Sequence, residues 1–352
     1  VKEGGVELDM KNPKKVSKSL STFYNPVMKL NRDISIEVIK LASKSRGLRI
    51  ALPLSGSGIR GLRFLKEADE SVNSIHFNDY KKGFEKELDD SLKLNDIETG
   101  KVEISNEDAN IFLLSSKGFD YIDIDPFGTP NPFLDAAIQR IARNGVLAVT
   151  ATDTSALAGT YPDVCKRNYN AVPLRNWLMH DVGLRILIRK IQIIGAQYEK
   201  AMIPVHSYSK DHYYRLYLKC TKSKSRCDEV LSMHKYLFYD EDTLEYTYID
   251  YPIKKKDTLI AGKMWIGDLW MEPYSKIGLI KEIPLESKTS GHYIDLHALA
   301  QRNKLSLCSY DLIMRALKKD KKSFSRSHLS SKIVKTDASN DSVLSIISAS
   351  HL

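Results

Sequence analysis

Cysteine is scarce: Cys165, Cys220, Cys227 and Cys308 are the only four among 352 residues. They are too few and too widely spaced for a disulfide framework, and they form no paired C-x-x-C knuckles. Long apolar runs are absent too, and no stretch approaches the roughly 18 residues needed to span a bilayer. The opening, Val1-Lys2-Glu3-Gly4-Gly5-Val6-Glu7, has no signal-peptide pattern. The nine histidines form no H-x-H or H-E-x-x-H arrangement, which argues against metal-dependent hydrolysis. No internal repeat is visible. These absences lead to the expectation of an intracellular, cytoplasmic protein.

What is present is ordinary globular material, 39.9 kDa with 42% hydrophobic and 28% charged residues. At about 150 residues per domain, two domains are expected. The net charge is +9, from 53 basic and 44 acidic residues. The excess is localised. Tyr251 to Lys335 carries 17 basic and 8 acidic residues, while the remainder carries 36 of each. A neutral N-terminal two-thirds is thus joined to a basic C-terminal third, and nucleic acid is the polyanion such asymmetry best fits.

From Arg49 to about Cys220, short β-branched runs alternate with helical patterns. Strands are expected at Arg49–Ser55, Ser74–Asp79, Val102–Asp108, Phe119–Asp125 and Gly145–Asp153, with helices at Gly56–Ala68 and about Tyr80–Leu94. This alternation implies a parallel sheet with helices on both faces. A later pair, about Gln197–Tyr208 and Tyr213–Cys220, has too short a link for a crossover and is expected to pair antiparallel. The N-terminal segment 1–48 precedes this α/β domain (49–222) and is expected to pack on it. A smaller α+β domain with a basic face (223–352) follows it.

Ser55-Gly56-Ser57-Gly58-Ile59-Arg60-Gly61 closes the first strand and opens a helix. Glycines there let the backbone approach a ligand, and a helix N-terminus favours negative charge. Asp79, ending the second strand, is placed to accept bonds from both ribose hydroxyls. Ser57, Gly58 and Asp79 therefore point to an adenosine-type ligand. Arg60 at the helix start, and Arg32 in Asn31-Arg32-Asp33, suit a free carboxylate better than a pyrophosphate. S-adenosylmethionine fits better than a dinucleotide. Asp108-Ala109, ending the third strand, is where an acid and an amide would meet the adenine; Asp108 is equally a helix N-cap.

Asp125-Pro126-Phe127-Gly128 ends the fourth strand, at the rim where open α/β sheets carry their chemistry. The motif suits methylation of an exocyclic base amine, whose lone pair is delocalised into the ring. The Asp125 carboxylate and the Pro126 carbonyl can both accept its N–H bonds, and Asp125 can take the released proton. Phe127 offers a face for the base to stack on. Asp123, deeper in the sheet, reads as structural.

These residues carry a resemblance. The chain resembles the tRNA guanine N2-dimethyltransferase family of archaea and eukaryotes, which makes N2,N2-dimethylguanosine at position 26 of tRNA. The matching segments are Phe23 to Asp33, Ser57 to Arg60, Asn78-Asp79, Glu107 to Ala109, Asp123 to Gly128, Thr152 to Leu157, Gly262 to Gly267 and Ser325 to His328. The resemblance implies a Rossmann-like class I methyltransferase sheet, parallel strands plus one antiparallel strand, using S-adenosyl-L-methionine. It implies Arg32, Arg60, Asp79, Asp108 and Ala109 around that cofactor, and Asp125 as the catalytic carboxylate. Phe23 and Phe127 would sandwich the flipped guanine, with Asn25 beside Phe23; from the residues alone, Phe23 reads as core. Lys318, Lys319, Lys321, Lys322 and Arg326 would meet tRNA.

One departure stands out. Many family members bear two cysteine pairs that bind zinc before the Gly-x-x-Trp segment, and here Asp228 to Gly262 has no cysteine. No structural zinc is expected, and Tyr236, Tyr239, Tyr246, Tyr248 and Tyr251 are expected to hold the region instead. The expected protein is a monomer that flips one guanine out of tRNA. Alternatives are amine methylation of another base (rRNA guanine N2 or adenine N6), a nicotinamide-dependent oxidoreductase and a non-catalytic RNA-binding protein.

Overall fold

In a computed structural model, the described residues are 1–9, 24–43, 46–253 and 255–349. They form two compact units. One comprises Val1–Asp153, Lys190–Ser207 and His212–Leu231; the other comprises Thr154–Arg189, Tyr208–Asp211 and Ser232–Leu352. This division differs from the expected boundaries at 48 and 222. The opening segment shares a unit with the sheet, and Thr154–Arg189 groups with the C-terminal residues. The reason is local bonding: Val172 and Gly262 exchange two backbone bonds of 2.7 Å. Arg185 also donates to the carbonyls of Trp265 and Gly267, at 3.2 and 2.9 Å.

The first unit opens with a hairpin of β1 (Lys2–Glu3) and β2 (Val6–Glu7), turning through Gly4 at φ +57°. Helix α1 (Lys29–Ala42) follows. Next come β3 (Leu48–Leu52), α2 (Ile59–Glu67), β4 (Val72–Asn78), α3 (Phe84–Leu94), β5 (Val102–Ser105), α4 (Ala109–Ser115), β6 (Phe119–Ile124), α5 (Asn131–Arg140) and β7 (Ile141–Ala151). Beyond the short α6 (Thr154–Leu157) and α7 (Pro162–Tyr169) lie α8 (Met179–Gln197), β8 (Lys200–Lys210), β9 (Tyr213–Lys222) and α9 (Lys224–Ser232).

The seven strands take the order β5-β4-β3-β6-β7-β9-β8. β3 to β7 run parallel, and β9 lies antiparallel to β7. The two-residue link between β8 and β9 permits only a hairpin. The order reverses between β3 and β6, which pair through Ile50↔Tyr121 and Ala51↔Ile122. Such a reversal opens a crevice at the carboxyl ends of the two strands. The register therefore sets the glycine loop after β3 beside the Asp-Pro-Phe-Gly turn after β6. Gly61 lets α2 lie close to the sheet: a Cβ there would be 2.2 Å from the Phe77 ring.

Several boundaries differ from expectation, and β3 stops at Leu52 rather than Ser55. β5 stops at Ser105, because Asp108 caps α4 by accepting from the amides of Asn110 and Ile111 at 2.9 and 3.2 Å. β7 begins at Ile141, with Asn144 at φ +65° before its apolar run.

The second unit carries two antiparallel sheets. One joins β10 (His234–Asp240) to β11 (Tyr246–Ile249) and β12 (Thr258–Trp265). After α10 (Ile283–Glu286), the other comprises β13 (His292–Asp295), β14 (Phe324–Arg326) and β15 (Ile333–Thr336). Its apolar core gathers Ile294 and Leu299 with Ile313 and Leu317 of α12 (Tyr310–Lys319), and with Val343 and Ile347 of α13 (Asn340–Ala349); α11 (Leu296–Arg302) carries Leu299. The tyrosines divide. Tyr239 is buried and accepts from Trp177 Nε1 at 3.0 Å, while Tyr246 accepts from the amide of Tyr293 at 2.9 Å. Tyr251 is 78% exposed. It follows β11 on a loop and holds nothing, contrary to the expectation for it.

No helix among the described residues is long and apolar enough to cross a membrane.

Candidate active site

Asp125 sits just past β6, its side chain 24% exposed in a cleft lined also by Tyr24, Asn25, Arg32, Ser57 and Arg60. Arg60, from the first turn of α2, donates Nη2 to Asp125 Oδ2 at 2.5 Å. Its Nη1 donates to Asn31 Oδ1 at 2.8 Å and Ser35 Oγ at 2.7 Å, both on α1. One face of the guanidinium is thus tied to a helix, and the other is presented to a carboxylate. Pro126 follows, then Phe127, 41% exposed at the rim. Gly128, at φ +87°, donates its amide to Thr152 Oγ1 at 2.7 Å and accepts from the Thr152 amide at 3.0 Å. The turn is thereby fastened to the end of β7.

Beneath Asp125 lies a fully buried ion pair. Arg215 of β9 grips Asp123 with both forks, Nη1 to Oδ1 at 2.9 Å and Nη2 to Oδ2 at 2.6 Å. Tyr121 donates to Asp123 at 2.7 Å, and Arg60 Nη1 lies 3.6 Å from it. Burial pushes the Asp123 carboxyl up, yet Arg215 and Arg60 together hold it below the usual carboxylate range. Two cations thus balance two anions here, which is how the interior tolerates any of them.

At the glycine loop, Gly58 takes φ +73° as the N-cap of α2. Gly56 donates its amide to the Asp79 carboxylate at 2.7 Å, and Lys81 donates to the same group at 3.0 Å. Asn78, fully buried, donates to the carbonyls of Pro53 and Glu107 at 3.0 and 3.1 Å and accepts from the Glu107 amide at 3.0 Å. It binds the ends of β3, β4 and β5 into one rim. Ser57 is 7% exposed, and its Oγ has no partner in the protein. Asp108 is exposed and committed as a helix cap, with Ala109 buried behind it.

Arg32 is buried and meets Glu3 through Nε at 2.7 Å and Nη2 at 2.5 Å. Glu3 also receives Tyr24 and Arg63, each at 2.9 Å. Burial opposes the charge of Glu3, but the bonds from Arg32, Tyr24 and Arg63 bring its carboxyl down to about 2. Both arginines foreseen as a carboxylate clamp therefore already hold protein carboxylates. A ligand carboxylate in this cleft would share them. Asn25 lies above, its side chain accepting from the Val27 amide at 3.0 Å.

Phe23 lies outside the described residues. Lys318, Lys319, Lys321 and Lys322 are exposed at and after the end of α12 in the second unit, where cations suit a helix C-terminus. Arg326 lies 3.7 Å above the Tyr310 ring. The structure places Asp125, Arg60, Arg32, Asn25 and Ser57 around one cleft; sequence reasoning did not single out Glu3, Asn31, Ser35, Thr150 or Arg215. The i, i+4 spacing of Asn31 and Ser35 on α1 was an available signal for that pair.

The N2,N2-dimethylguanosine tRNA methyltransferase family profile matches residues 4–348. The chain is 34% identical to the tRNA (guanine(26)-N(2))-dimethyltransferase of Methanobrevibacter smithii, across 99% of this chain and 96% of that protein. It is 38% identical to the tRNA (guanine(26)-N(2)/guanine(27)-N(2))-dimethyltransferase of Aquifex aeolicus, across 75% and 70% respectively. Trm1 from Pyrococcus horikoshii, solved in complex with S-adenosyl-L-methionine, superposes with a TM-score of 0.86 at 29% identity and 99% coverage of both chains. With the reaction cleft and these likenesses in agreement, the chain belongs to the N2,N2-dimethylguanosine tRNA methyltransferase family.

Proposed function

We infer that this chain transfers methyl groups from S-adenosyl-L-methionine to the N2 amine of guanine at position 26 of tRNA, giving N2,N2-dimethylguanosine. The observation that carries this reading is Asp125: a rim carboxylate held through one oxygen by Arg60, in the cleft that begins at the glycine loop.

The residues fit the cofactor. The unpartnered, buried Ser57 Oγ is a polar group awaiting a ligand, and the N-terminus of α2 opens beside it. Ser57, Gly58 and Asp79, with Asp108 and Ala109, would hold the nucleoside part; Arg32 and Arg60 would hold the amino-acid part. Bound there, the cofactor supplies an electrophilic methyl group on sulfonium sulfur.

Asp125 Oδ1 and the Pro126 carbonyl accept the two N2–H bonds, which turns the amine lone pair away from the ring plane. Asp125 then takes the proton that the methylated amine releases. Phe127 offers its exposed ring to the flipped base, with Phe23 and Asn25 on the opposite side. Extraction of a stacked guanine costs a few kcal/mol, which stacking and phosphate contacts offset. Lys318, Lys319, Lys321, Lys322 and Arg326 supply the phosphate contacts. The same proposal has the enzyme act as a cytoplasmic monomer without structural zinc.

The test is incubation of unmodified tRNA with isotopically labelled methyl donor, followed by digestion and nucleoside analysis. Label in N2-methylated guanosine mapped to position 26 is expected. Label in adenine N6, or none in guanosine N2, would overturn the assignment.

A further inference from the structure

We propose that Arg215, on a strand two places along the sheet from the one that ends at Asp125, is a positioning residue for methyl transfer: through Asp123 and Ser35 it fixes Arg60, and Arg60 aims Asp125. This rests on the reading of Asp125 as the group that receives the N2 proton.

The contacts form an unbroken chain. Arg215 is 0% exposed, on a strand remote in sequence from the motifs of the site. Its Nη1 meets Asp123 Oδ1 and Thr150 Oγ1, each at 2.9 Å. Its Nη2 meets Asp123 Oδ2 at 2.6 Å and Ser35 Oγ at 3.1 Å. Ser35 Oγ in turn accepts from Arg60 Nη1 at 2.7 Å, and Arg60 Nη2 reaches Asp125 at 2.5 Å. The Arg215 guanidinium also lies 4.6 Å from the Tyr217 ring centroid, and Tyr217 shares Ser35 at 2.8 Å. Two of the groups that position Arg60, Ser35 Oγ and Asp123, are therefore held by Arg215, while Asn31 Oδ1 holds it independently.

Charge explains why this matters. Asp123 touches both arginines, one tightly and one at 3.6 Å. While Arg215 saturates it, Arg60 is left to Asp125. Without the Arg215 fork, Asp123 is a buried anion whose nearest cation is Arg60. The guanidinium is then drawn inward, away from Asp125. A lysine at 215 keeps the charge but, as a single ammonium, cannot span both Asp123 oxygens, Thr150 and Ser35 together. The groups around Asp125 are Arg60 from α2, Asp123 and Tyr121 from β6, Asn31 and Arg32 from α1, and Arg215 and Tyr217 from β9. Of these, Arg60 alone is a cation in direct contact with its carboxylate. Displacing Arg60 therefore leaves the Asp125 carboxylate without the group that aims it.

The experiment compares the native enzyme with Arg215→Lys, measuring kcat and KM on tRNA, calorimetric affinity for S-adenosylmethionine, and melting temperature. A fall in kcat of about 10–100-fold is expected from misplacing the base, with KM and donor affinity changed by less than about threefold. Loss of kcat with KM, donor affinity and melting temperature kept is a split that a merely structural role would not produce. A folded Arg215→Lys enzyme with native kcat overturns the proposal. If that variant does not fold, the double variant Arg215→Met with Asp123→Asn removes both charges and strands neither. With no anion at 123 to draw Arg60 inward, only the hold on Ser35 is lost, so kcat should fall by less, about three- to tenfold, and native kcat in the folded double variant overturns the proposal. Methylation by the native enzyme tests the reading of the site, whereas the ratio of variant to native turnover tests Arg215, so the two failures are told apart.

Discussion

Glu3, in the first hairpin, closes on Arg32 of α1 with both carboxylate oxygens, at 2.7 and 2.5 Å. The pair is buried and joins the opening residues to the wall of the cleft. With its carboxyl held down to about 2 from an ordinary 4.5, Glu3 contributes stability that is complete above pH 4.5 and vanishes as pH falls through 2. That interval corresponds to about 3 kcal/mol. Glu3→Gln should be less stable at neutral pH, because Arg32 and Arg63 lose their counter-charge, and its further loss between pH 5 and 2 should be shallower than the native one. Urea unfolding at a series of pH values checks both expectations.

Asp125→Ala should lower kcat by roughly 10²–10⁴, the usual worth of a positioned acid–base group. Donor binding should persist, because the glycine loop and the β4 end are untouched. Single-turnover methylation alongside calorimetry with S-adenosylhomocysteine separates the two effects; undiminished turnover would remove Asp125 from its role.

Asn78→Ala should destabilise the protein by on the order of 2–3 kcal/mol, since the Pro53 and Glu107 groups lose a buried partner. It should also weaken donor binding, because the same side chain aligns the rim on which Asp79 stands. A thermal melt with and without cofactor tests this: a variant that melts early yet gains the full native increment from cofactor would place Asn78 outside the binding geometry.

Reversing charge at Lys318, Lys319, Lys321 and Lys322 should weaken tRNA binding and flatten its dependence on salt. Each lost phosphate contact lowers the log–log slope by about 0.7–0.9. Filter binding from low to high salt gives the slope directly. An unchanged slope would make the cluster an ordinary hydrated surface.

The rim motifs were legible because they break patterns. A glycine loop interrupts a strand-to-helix junction, and Asp125-Pro126 stops an apolar strand with an acid and a residue that cannot continue the ladder. Five parallel strands were legible from their β-branched runs, and the antiparallel return of β9 from the brevity of its link to β8. Arg215 was not legible. Within Tyr213-Tyr214-Arg215-Leu216-Tyr217 a buried arginine looks like any strand arginine, since only the third dimension shows which face it occupies and that Asp123 awaits it. Asp108 carried two compatible readings, and the helix cap is the one with hydrogen bonds. The grouping of Thr154–Arg189 with the C-terminal unit was hidden as well, because its ties to Gly262 and Trp265 span 90 and 80 residues of chain.

Because Arg215 lies on β9, the order of synthesis constrains when this enzyme can become competent. A nascent chain that has reached Asp153 already possesses the glycine loop, Arg60 and Asp125, yet Asp123 has no fork to neutralise it. The central strand cannot settle into the interior with that anion unmatched. Emergence of β9 from the ribosome thus completes the closure of the sheet and supplies the fork that Asp123 requires.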